Sequence, residues 1–313
     1  MENSRDIKFY NFPNDFNVKS NYFLDLIDKV LSIKNEGVPI HFYGCYPNIS
    51  LFRKIVLFAS SRISDSAMTK WLNMQQGVIE PLDKKAFNIW CTFENRRPPI
   101  NRYDLTFSFD LDSYKNTNFY LPLIYLYMNH HDSKIIHSKH TISPKECALS
   151  RNISVTEIKM KTRFASSFIN NPHQMRLRAI KELSEIDKID VFGRSVGNYV
   201  PNKIEKASKY WFNICFENDL YPGYVTEKIL EAWLAKAIPI YWGMDSAQIL
   251  NPKAYVNLND FETLEDFTNY ISDLYKDKDR MIEIINQPLL NQEFNSNSPI
   301  QFLVRGLEVR DQL

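Results

Sequence analysis

Short apolar runs alternate with amphipathic segments along the first half of the chain. Residues 7–12 predict a strand, and residues 21–33 carry apolar side chains at helical spacing. Further strands are predicted at residues 39–44, 87–93 and 105–109. Strands that are separated by helices are typical of βαβ units, which build parallel sheets. The first half is therefore predicted to be an α/β domain.

The alternation restarts after a polar stretch, residues 129–154, in which the periodicity fades and a linker is predicted. The later strands are predicted at residues 163–169, 189–193, 211–216, 238–243 and 255–258, and the helices at residues 174–184, 226–236 and 264–274. The pattern predicts two α/β halves that are joined by the linker, with a ligand cleft between them. We expect the domains at residues 1–150 and 151–290, and a short tail at 291–313 whose apolar residues 302–304 pack on the core.

Composition and charge narrow the function classes. Lys and Arg number 38 against 37 Asp and Glu, so a net charge of +1 argues against a general nucleic-acid binder. The four cysteines form no C-x-x-C pair, which excludes a zinc ribbon or a disulfide scaffold and suits a reducing compartment. The polar first residues and the lack of an apolar run long enough to span a membrane predict a cytoplasmic location.

The segment from residue 216 to residue 229 is the best candidate for a ligand-binding loop. A predicted strand ends at Phe216, a Pro-Gly loop follows, and Thr226 is the expected N-cap of the next helix. This loop follows the carboxyl end of a strand, where α/β sheets bind ligands, and the helix start suits a phosphate. Lys228 lies in the first turn, where a cation is favourable only beside an anion. An ordinary loop with a solvated lysine is the alternative.

Three sequence runs carry a family resemblance: FENDLYPGYVTEKI from residue 216, IPIYWG from residue 238 and NPKAYV from residue 251. They resemble the α1,3/4-fucosyltransferase family, and the similarity to its bacterial members covers about residues 211–261. The resemblance implies two Rossmann-like domains of the GT-B type, GDP-fucose as donor, and transfer with inversion. The agreement with the two α/β halves predicted from periodicity strengthens both interpretations.

The resemblance also implies the reaction and its partners. We expect an inverting transferase that moves L-fucose from GDP-fucose to O3 or O4 of GlcNAc or Glc in an oligosaccharide or lipid-linked glycan. It implies no metal site and no obligatory cofactor, while stimulation by a divalent metal, peripheral contact with a membrane and the oligomeric state stay open. The alternatives are a GT-B transferase that uses another GDP-deoxysugar, and an inactive glycan- or nucleotide-binding module.

By the same resemblance, the loop supplies most of the donor site. Asn218 and Tyr224 are expected to contact the donor, Glu227 to reach the sugar or the ribose, and Lys228 to meet the diphosphate. Glu217 either binds the donor or is a structural carboxylate at the strand end. These assignments are implied by the family motif and not by the spacing alone.

A second stretch, which begins Asn170-Asn171-Pro172, resembles the Asn-Pro…Arg…Leu segment of the family. The resemblance assigns Arg176 to the donor pyrophosphate. Arg178, two residues further on, competes for that assignment.

The run FENRRP, which begins at Phe93, resembles the Gly-Glu-Asn segment of the family with Phe in place of Gly. The resemblance makes Glu94 the catalytic base. Glu94 follows an apolar strand, so its carboxylate could accept a proton from a sugar hydroxyl. The alternative is a salt bridge to Arg96, Arg97 or Arg102.

Two polar groupings are predicted not to bind metal. Four histidines follow no zinc-ligand spacing and are expected to be solvated. They are His130, His131, His137 and His140. The Asp110-x-Asp112 pair is expected to form a solvated turn.

Overall fold

The chain folds into two α/β units, each with a parallel sheet. The computed structural model describes residues 6–13, 16–33, 37–46, 82–130, 140–170 and 173–311. The first unit comprises Met1–Leu121 with Ser296–Leu313, and the second comprises Pro122–Asn295. Within the described residues each sheet has five strands, and neighbouring strands are parallel. The predicted α/β class with two Rossmann-like domains is confirmed.

The strands are β1 (Ile7–Tyr10), β2 (Ile40–Tyr43), β3 (Phe87–Cys91), β4 (Leu105–Ser108), β5 (Asn118–Tyr120), β6 (Arg163–Phe168), β7 (Ile189–Phe192), β8 (Tyr210–Ile214), β9 (Ile238–Tyr241) and β10 (Val256–Asn257). The helices are α1 (Tyr22–Ile33), α2 (Leu123–Leu126), α3 (Pro144–Cys147), α4 (Val155–Met160), α5 (Gln174–Leu183), α6 (Lys203–Ala207), α7 (Glu227–Leu234), α8 (Leu264–Lys276), α9 (Lys278–Asn286) and α10 (Asn297–Asp311). Described helices separate β1 from β2 and the successive strands from β6 to β9, as in βαβ connections, whereas β3, β4 and β5 follow one another without a described helix. Among the described strands, only β5 was not predicted.

The first unit has the strand order β1-β2-β3-β4-β5 and an aromatic core. The ring of Phe23 on α1 lies 5.1 Å from that of Phe42 and 6.0 Å from that of Phe107. The predicted tail belongs to this unit, because α10 contacts α1 and the Phe302 ring lies 5.6 Å from Phe107. A Cβ on Gly306 would lie 2.5 Å from Leu105 Cδ1, so a larger residue would displace the Leu105 side chain where α10 meets the sheet.

The second unit has the strand order β10-β9-β8-β6-β7. The chain runs outward from β6 to β7 on one side, and from β8 to β9 and β10 on the other. The order therefore reverses between β6 and β8, which are paired. Such a switch point leaves a crevice at the carboxyl ends of the two strands, and ligands bind there in open α/β sheets.

The division between the units lies after Leu121, not at residue 150 as predicted. The predicted linker, residues 129–154, belongs to the second unit because residues just before it and within it are hydrogen-bonded to that unit. The bonds run from Ile124 N–H to Val225 O, 3.2 Å, and from Leu289 N–H to Cys147 O, 2.8 Å. Its polar composition includes the capping residues of two short helices, Ser143 of α3 and Ser154 of α4.

No helix in the described part of the chain combines the length and the apolar character needed to cross a membrane.

Candidate functional site

A pocket opens in the second unit at the switch point between β6 and β8. Its lining residues come from the ends of β6 and β8, the following loops, and α5, α6 and α7. They are Phe168, Asn170, Arg176, Lys203, Asn213, Ile214, Cys215, Phe216, Asn218, Glu227, Lys228 and Glu231. Four predicted site residues, Arg176, Asn218, Glu227 and Lys228, are therefore brought together at the edge where this fold class binds ligands.

The two candidate arginines differ sharply in position. Arg176 is 3% exposed, and its Nη2 donates to the backbone oxygen of Phe216 at 2.6 Å and to that of Glu217 at 3.3 Å. Burial lowers the pKa of Arg176, while Glu217 opposes this shift. Arg178 is exposed, because residues two apart on a helix do not share a face. The geometry thus favours Arg176 over Arg178 as the pocket arginine.

Glu217 is fully buried and is the centre of a hydrogen-bond network. Its Oε1 accepts from Thr226 N–H at 2.8 Å and from the Tyr241 hydroxyl at 3.2 Å. Its Oε2 accepts from the Thr226 hydroxyl at 2.7 Å and from Lys228 Nζ at 3.1 Å. A buried carboxylate is costly unless donors and a countercharge replace water, and here both oxygens have them. This geometry favours the structural role that the sequence left open.

Lys228 has an anion within the chain itself. Its Nζ lies 3.1 Å from Glu217 Oε2 and 2.9 Å from Thr226 Oγ1, and its side chain is 23% exposed. Burial opposes the charged form, but Glu217 and Glu227 outweigh it and raise the pKa of Lys228. The expectation that only a bound anion favours this lysine is therefore wrong. Glu217 fixes the charge of Lys228 beside the pocket.

The start of α7 is arranged for an anion. Thr226 is the N-cap, as predicted, but its side chain makes no capping bond within the described helix. Its hydroxyl donates to Glu217 instead. The first N–H groups of α7 thus lack the side-chain acceptor that a threonine N-cap usually provides. Free N–H groups at the positive end of a helix, next to Lys228, suit a phosphate oxygen.

Asn218 and Tyr224 have different surroundings. Asn218 is half-buried and lines the pocket. Tyr224 is 2% exposed and lies outside the set of described residues that line the pocket. Its backbone N–H donates to Tyr221 O at 3.0 Å, in a turn that requires the positive φ of 83° at Gly223. The lining of the pocket therefore does not support the expected contact of Tyr224 with the donor.

The pocket contains a second polar group that sequence reasoning missed. Lys203 Nζ lies 3.2 Å from Glu231 Oε2, and Glu231 Oε1 lies 3.8 Å from Nε2 of the buried His140. Asn213 Oδ1 is buried and has no hydrogen-bond partner among the described residues. Glu231 follows Glu227 by one helical turn, and Asn213 interrupts an apolar strand, so both carried a sequence signal. His140 is not solvated, in contrast to the prediction.

Glu94 lies in the first unit and is half-buried. The Tyr46 hydroxyl donates to Glu94 Oε1 at 3.0 Å, and the Thr92 hydroxyl donates to the Glu94 backbone oxygen at 2.6 Å. Among the described residues, the guanidinium of Arg97 pairs with Asp110 and not with Glu94. The predicted alternative of a salt bridge from Glu94 to Arg97 is therefore not formed.

The ring contacts of Phe93 explain how the chain accommodates a phenylalanine where the family motif has glycine. Its ring lies 5.1 Å from that of Phe12, 6.0 Å from that of Phe16 and 6.3 Å from that of Phe23. These aromatic contacts anchor the residue that precedes Glu94. The substitution thus attaches this loop to the core of the first unit.

Asp110 is buried and not solvated as predicted. It is 4% exposed, pairs with Arg97, and accepts from the Tyr114 hydroxyl at 2.5 Å. Its role in the described structure is to hold Arg97 and the adjoining turn. No group of three or more His, Cys, Asp or Glu side chains that could hold a metal ion occurs in the described segments.

Comparison with known proteins identifies the domain that contains the pocket. Residues 158–286 match the C-terminal domain of glycosyltransferase family 10, the fucosyltransferases. This chain carries a family 10 fucosyltransferase domain. The match runs from α4 to the end of α9 and includes every element that lines the pocket. The resemblance read from the motifs is confirmed.

Two curated relatives show the extent of the similarity. The chain is 30% identical to the α-(1,3)-fucosyltransferase FucT of Helicobacter pylori over 230 residues, which are 66% of this chain and 48% of the relative. It is 33% identical to the human 4-galactosyl-N-acetylglucosaminide 3-α-L-fucosyltransferase FUT6 over 136 residues, 40% of this chain and 37% of the relative. The chain thus spans less than half the length of these relatives.

Solved structures show the same fold. A crystal structure of an α1,3-fucosyltransferase matches 98% of this chain and 92% of its own, with a TM-score of 0.66 and 22% identity. An α1,3-fucosyltransferase crystallised with GDP-fucose matches 96% of this chain and 90% of its own, with a TM-score of 0.64 and 23% identity. The predicted GT-B class is confirmed by this likeness.

Proposed function

We propose that this chain is an inverting fucosyltransferase that moves L-fucose from GDP-fucose to a hydroxyl of a glycan. The pocket of the family 10 domain carries the proposal, because Arg176, Lys228 and the start of α7 converge there. The structural neighbour that holds GDP-fucose supports this donor. The proposal includes O3 or O4 of GlcNAc or Glc as the acceptor atom, and a reaction that needs no obligatory cofactor.

The cationic side of the pocket would bind the diphosphate. Arg176 is held by the backbone oxygens of Phe216 and Glu217, and Lys228 is held by the Glu217 carboxylate. These internal hydrogen bonds hold both cations beside the pocket, so little reorganisation is needed as negative charge develops on the departing GDP. Preorganised positive groups of this kind stabilise the transition state more than flexible ones.

The remaining polar side chains of the pocket would bind hydroxyl and N–H groups of the donor. Glu227 and Asn218 border the first turn of α7, and Glu231 lies one turn further along the helix. The unpartnered oxygen of Asn213 is a hydrogen-bond acceptor in a buried position. Ribose, sugar and guanine all present donors to such oxygens, so these residues complement a nucleotide sugar.

Glu94 would act as the general base. Its carboxylate would take the proton of the acceptor hydroxyl while that oxygen forms a bond to the anomeric carbon of fucose. The bond from that carbon to the diphosphate breaks, and GDP leaves from the opposite face. A single displacement of this kind inverts the anomeric configuration, and a general base typically contributes about 10²–10⁴-fold to such a step.

A donor and acceptor screen tests the proposal. The purified chain is incubated with each of several GDP-sugars and an array of glycans, and products are read by mass and by nuclear magnetic resonance of the new linkage. We expect fucose transfer from GDP-fucose with inverted configuration. Transfer from another GDP-deoxysugar alone would favour the second enzyme interpretation, and GDP-fucose binding without GDP release would favour an inactive binding module.

A further inference from the structure

We propose that Tyr46 is a positioning residue that holds the Glu94 carboxylate for proton transfer, an inference that rests on the proposed function. The Tyr46 hydroxyl donates to Glu94 Oε1 at 3.0 Å across a separation of 48 residues. Within the described residues, Glu94 Oε2 accepts no hydrogen bond. One oxygen is therefore fixed by Tyr46, and the other is left to accept the proton.

Tyr46 itself is held firmly by the backbone of the first unit. Its N–H donates to Asn11 O at 3.0 Å, and Asn11 has a positive φ of 58°. A Cβ on Gly44 would lie 2.3 Å from the same Asn11 oxygen, so this close approach requires glycine at position 44. The segment that carries Tyr46 is thus pinned against the chain that follows β1.

The same segment also holds the backbone next to Glu94. The N–H of Phe93 donates to Cys45 Sγ at 3.4 Å. The side chains of Tyr46 and Phe93 both pack against one buried cluster, which consists of Tyr43, Cys45, Trp90 and Tyr103. Residues 44–46 therefore contact the Glu94 loop twice, once through its backbone and once through its carboxylate. Two such contacts restrict both the loop and the rotation of the side chain.

A base that is held in place acts mainly on the chemical step. The ordering of the carboxylate is accomplished before the acceptor arrives, which lowers the barrier to proton transfer without changing donor affinity. Because Tyr46 touches Glu94 and lies outside the donor pocket, its loss should reduce kcat and leave GDP-fucose binding unchanged. This split between kcat and KM distinguishes positioning from a general structural role.

The experiment is a double-mutant cycle with Tyr46→Phe, Glu94→Gln and the combined variant. Tyr46→Phe removes only the hydroxyl, and we expect kcat to fall about tenfold, the typical cost of losing a hydrogen bond to a charged group. The KM for GDP-fucose should stay unchanged. In the Glu94→Gln background, the residual rate should not fall further, because the group that Tyr46 positions is already absent.

Tyr10→Phe is the matched control, since Tyr10 packs against the same cluster and its ring stacks on that of Tyr43 at 5.0 Å. We expect this variant to keep the wild-type kcat. Three results would overturn this inference but not the proposed function. They are an unchanged kcat in Tyr46→Phe, weaker GDP-fucose binding in that variant, or a loss of rate on Tyr46→Phe that is equally large with Glu94 and with Gln at position 94. A wild-type chain that transfers no fucose would overturn the proposed function and this inference together.

Discussion

The pocket of the second unit and the Glu94 loop of the first are built in different ways. In the pocket, a fully buried Glu217 receives four hydrogen bonds from Thr226, Lys228 and Tyr241. In the Glu94 loop, the carboxylate receives one hydrogen bond, from Tyr46, among the described residues. The family match covers residues 158–286, which include the pocket and exclude the Glu94 loop.

This contrast indicates that the pocket of the second unit and the Glu94 loop contribute to different properties of the protein. The cations that would meet a diphosphate are fixed by a network that begins inside the sheet of the second unit, so changes there should affect both stability and donor affinity. Glu94 lies on a loop attached by aromatic rings and a tyrosine, so changes there should affect the reaction rate alone. Three substitutions test this difference, and a fourth tests the effect of a buried charge away from both regions.

Glu94→Gln should have the largest effect. Turnover should fall by about 10²–10⁴-fold, because glutamine has nearly the same shape but cannot take a proton. GDP-fucose binding should be unchanged. Initial rates with saturating acceptor and calorimetric titration of the donor measure the two quantities. A variant that keeps more than about a tenth of the wild-type rate would exclude Glu94 as the base, because a lost base costs more.

Glu217→Ala should have the largest effect on stability. It leaves Lys228 partly buried without its countercharge, and the free energy of unfolding should fall by about 3–5 kcal/mol. Urea denaturation measures this change. Asp273→Asn is the control, because its pair with Lys276 is exposed and should contribute about 0–1 kcal/mol. Equal losses in the free energy of unfolding in the two variants would contradict a central role of Glu217 in stability.

Arg176→Ala should weaken GDP-fucose binding about tenfold or more, since it removes a charged group from the pocket. It should also cost about 1–3 kcal/mol of stability, because two buried backbone oxygens lose their donor. Arg178→Ala should change stability by less than about 0.5 kcal/mol and leave binding intact, since its side chain is exposed. The reverse ranking in calorimetry would assign the site to Arg178.

Lys161 tests whether burial of charge also shapes stability away from the pocket. Burial lowers its pKa to about 7, from an ordinary value of 10.5. Above pH 7 the unfolded chain holds a proton that the folded chain has released, so this group makes stability rise with pH by up to about 1.4 kcal/mol per pH unit. Urea denaturation between pH 7 and 8.5 measures this change, and the free energy of unfolding should rise less steeply with pH in Lys161→Met than in the wild type. An equal pH dependence of stability in both proteins would contradict a lowered pKa of Lys161 in the folded chain.

The sequence pattern predicts every described strand except the three-residue β5, because the other strands are longer or end in marked apolar runs. It also predicts α7 and its first turn, since Thr226 and the apolar face of the helix are local signals. The packing of the tail on the core was predicted, but the domain division and the return of the tail to the first unit were not, because both depend on packing between distant segments. Phe302 on α10 reaches Phe107, which is far away in the chain.

The site was predicted only in part, because some of its contacts also join distant segments of the chain. Motifs identify Arg176 and Lys228, but the role of Glu217 depends on Tyr241, which lies 24 residues further along the chain. The burial of Asp110 and His140 was also invisible, since a polar residue in a polar stretch gives no sign of the partners that bury it. Pairings over such distances become visible only in the folded chain.

The central claim is that the pocket at the β6–β8 switch point binds GDP-fucose. Calorimetric titration of GDP-fucose into the wild-type chain and into Arg176→Ala and Arg178→Ala tests it most directly. We predict one site in the wild type, similar affinity in Arg178→Ala, and binding weakened about tenfold or more in Arg176→Ala. Absence of binding in the wild type, or equal affinity in all three proteins, would contradict the claim.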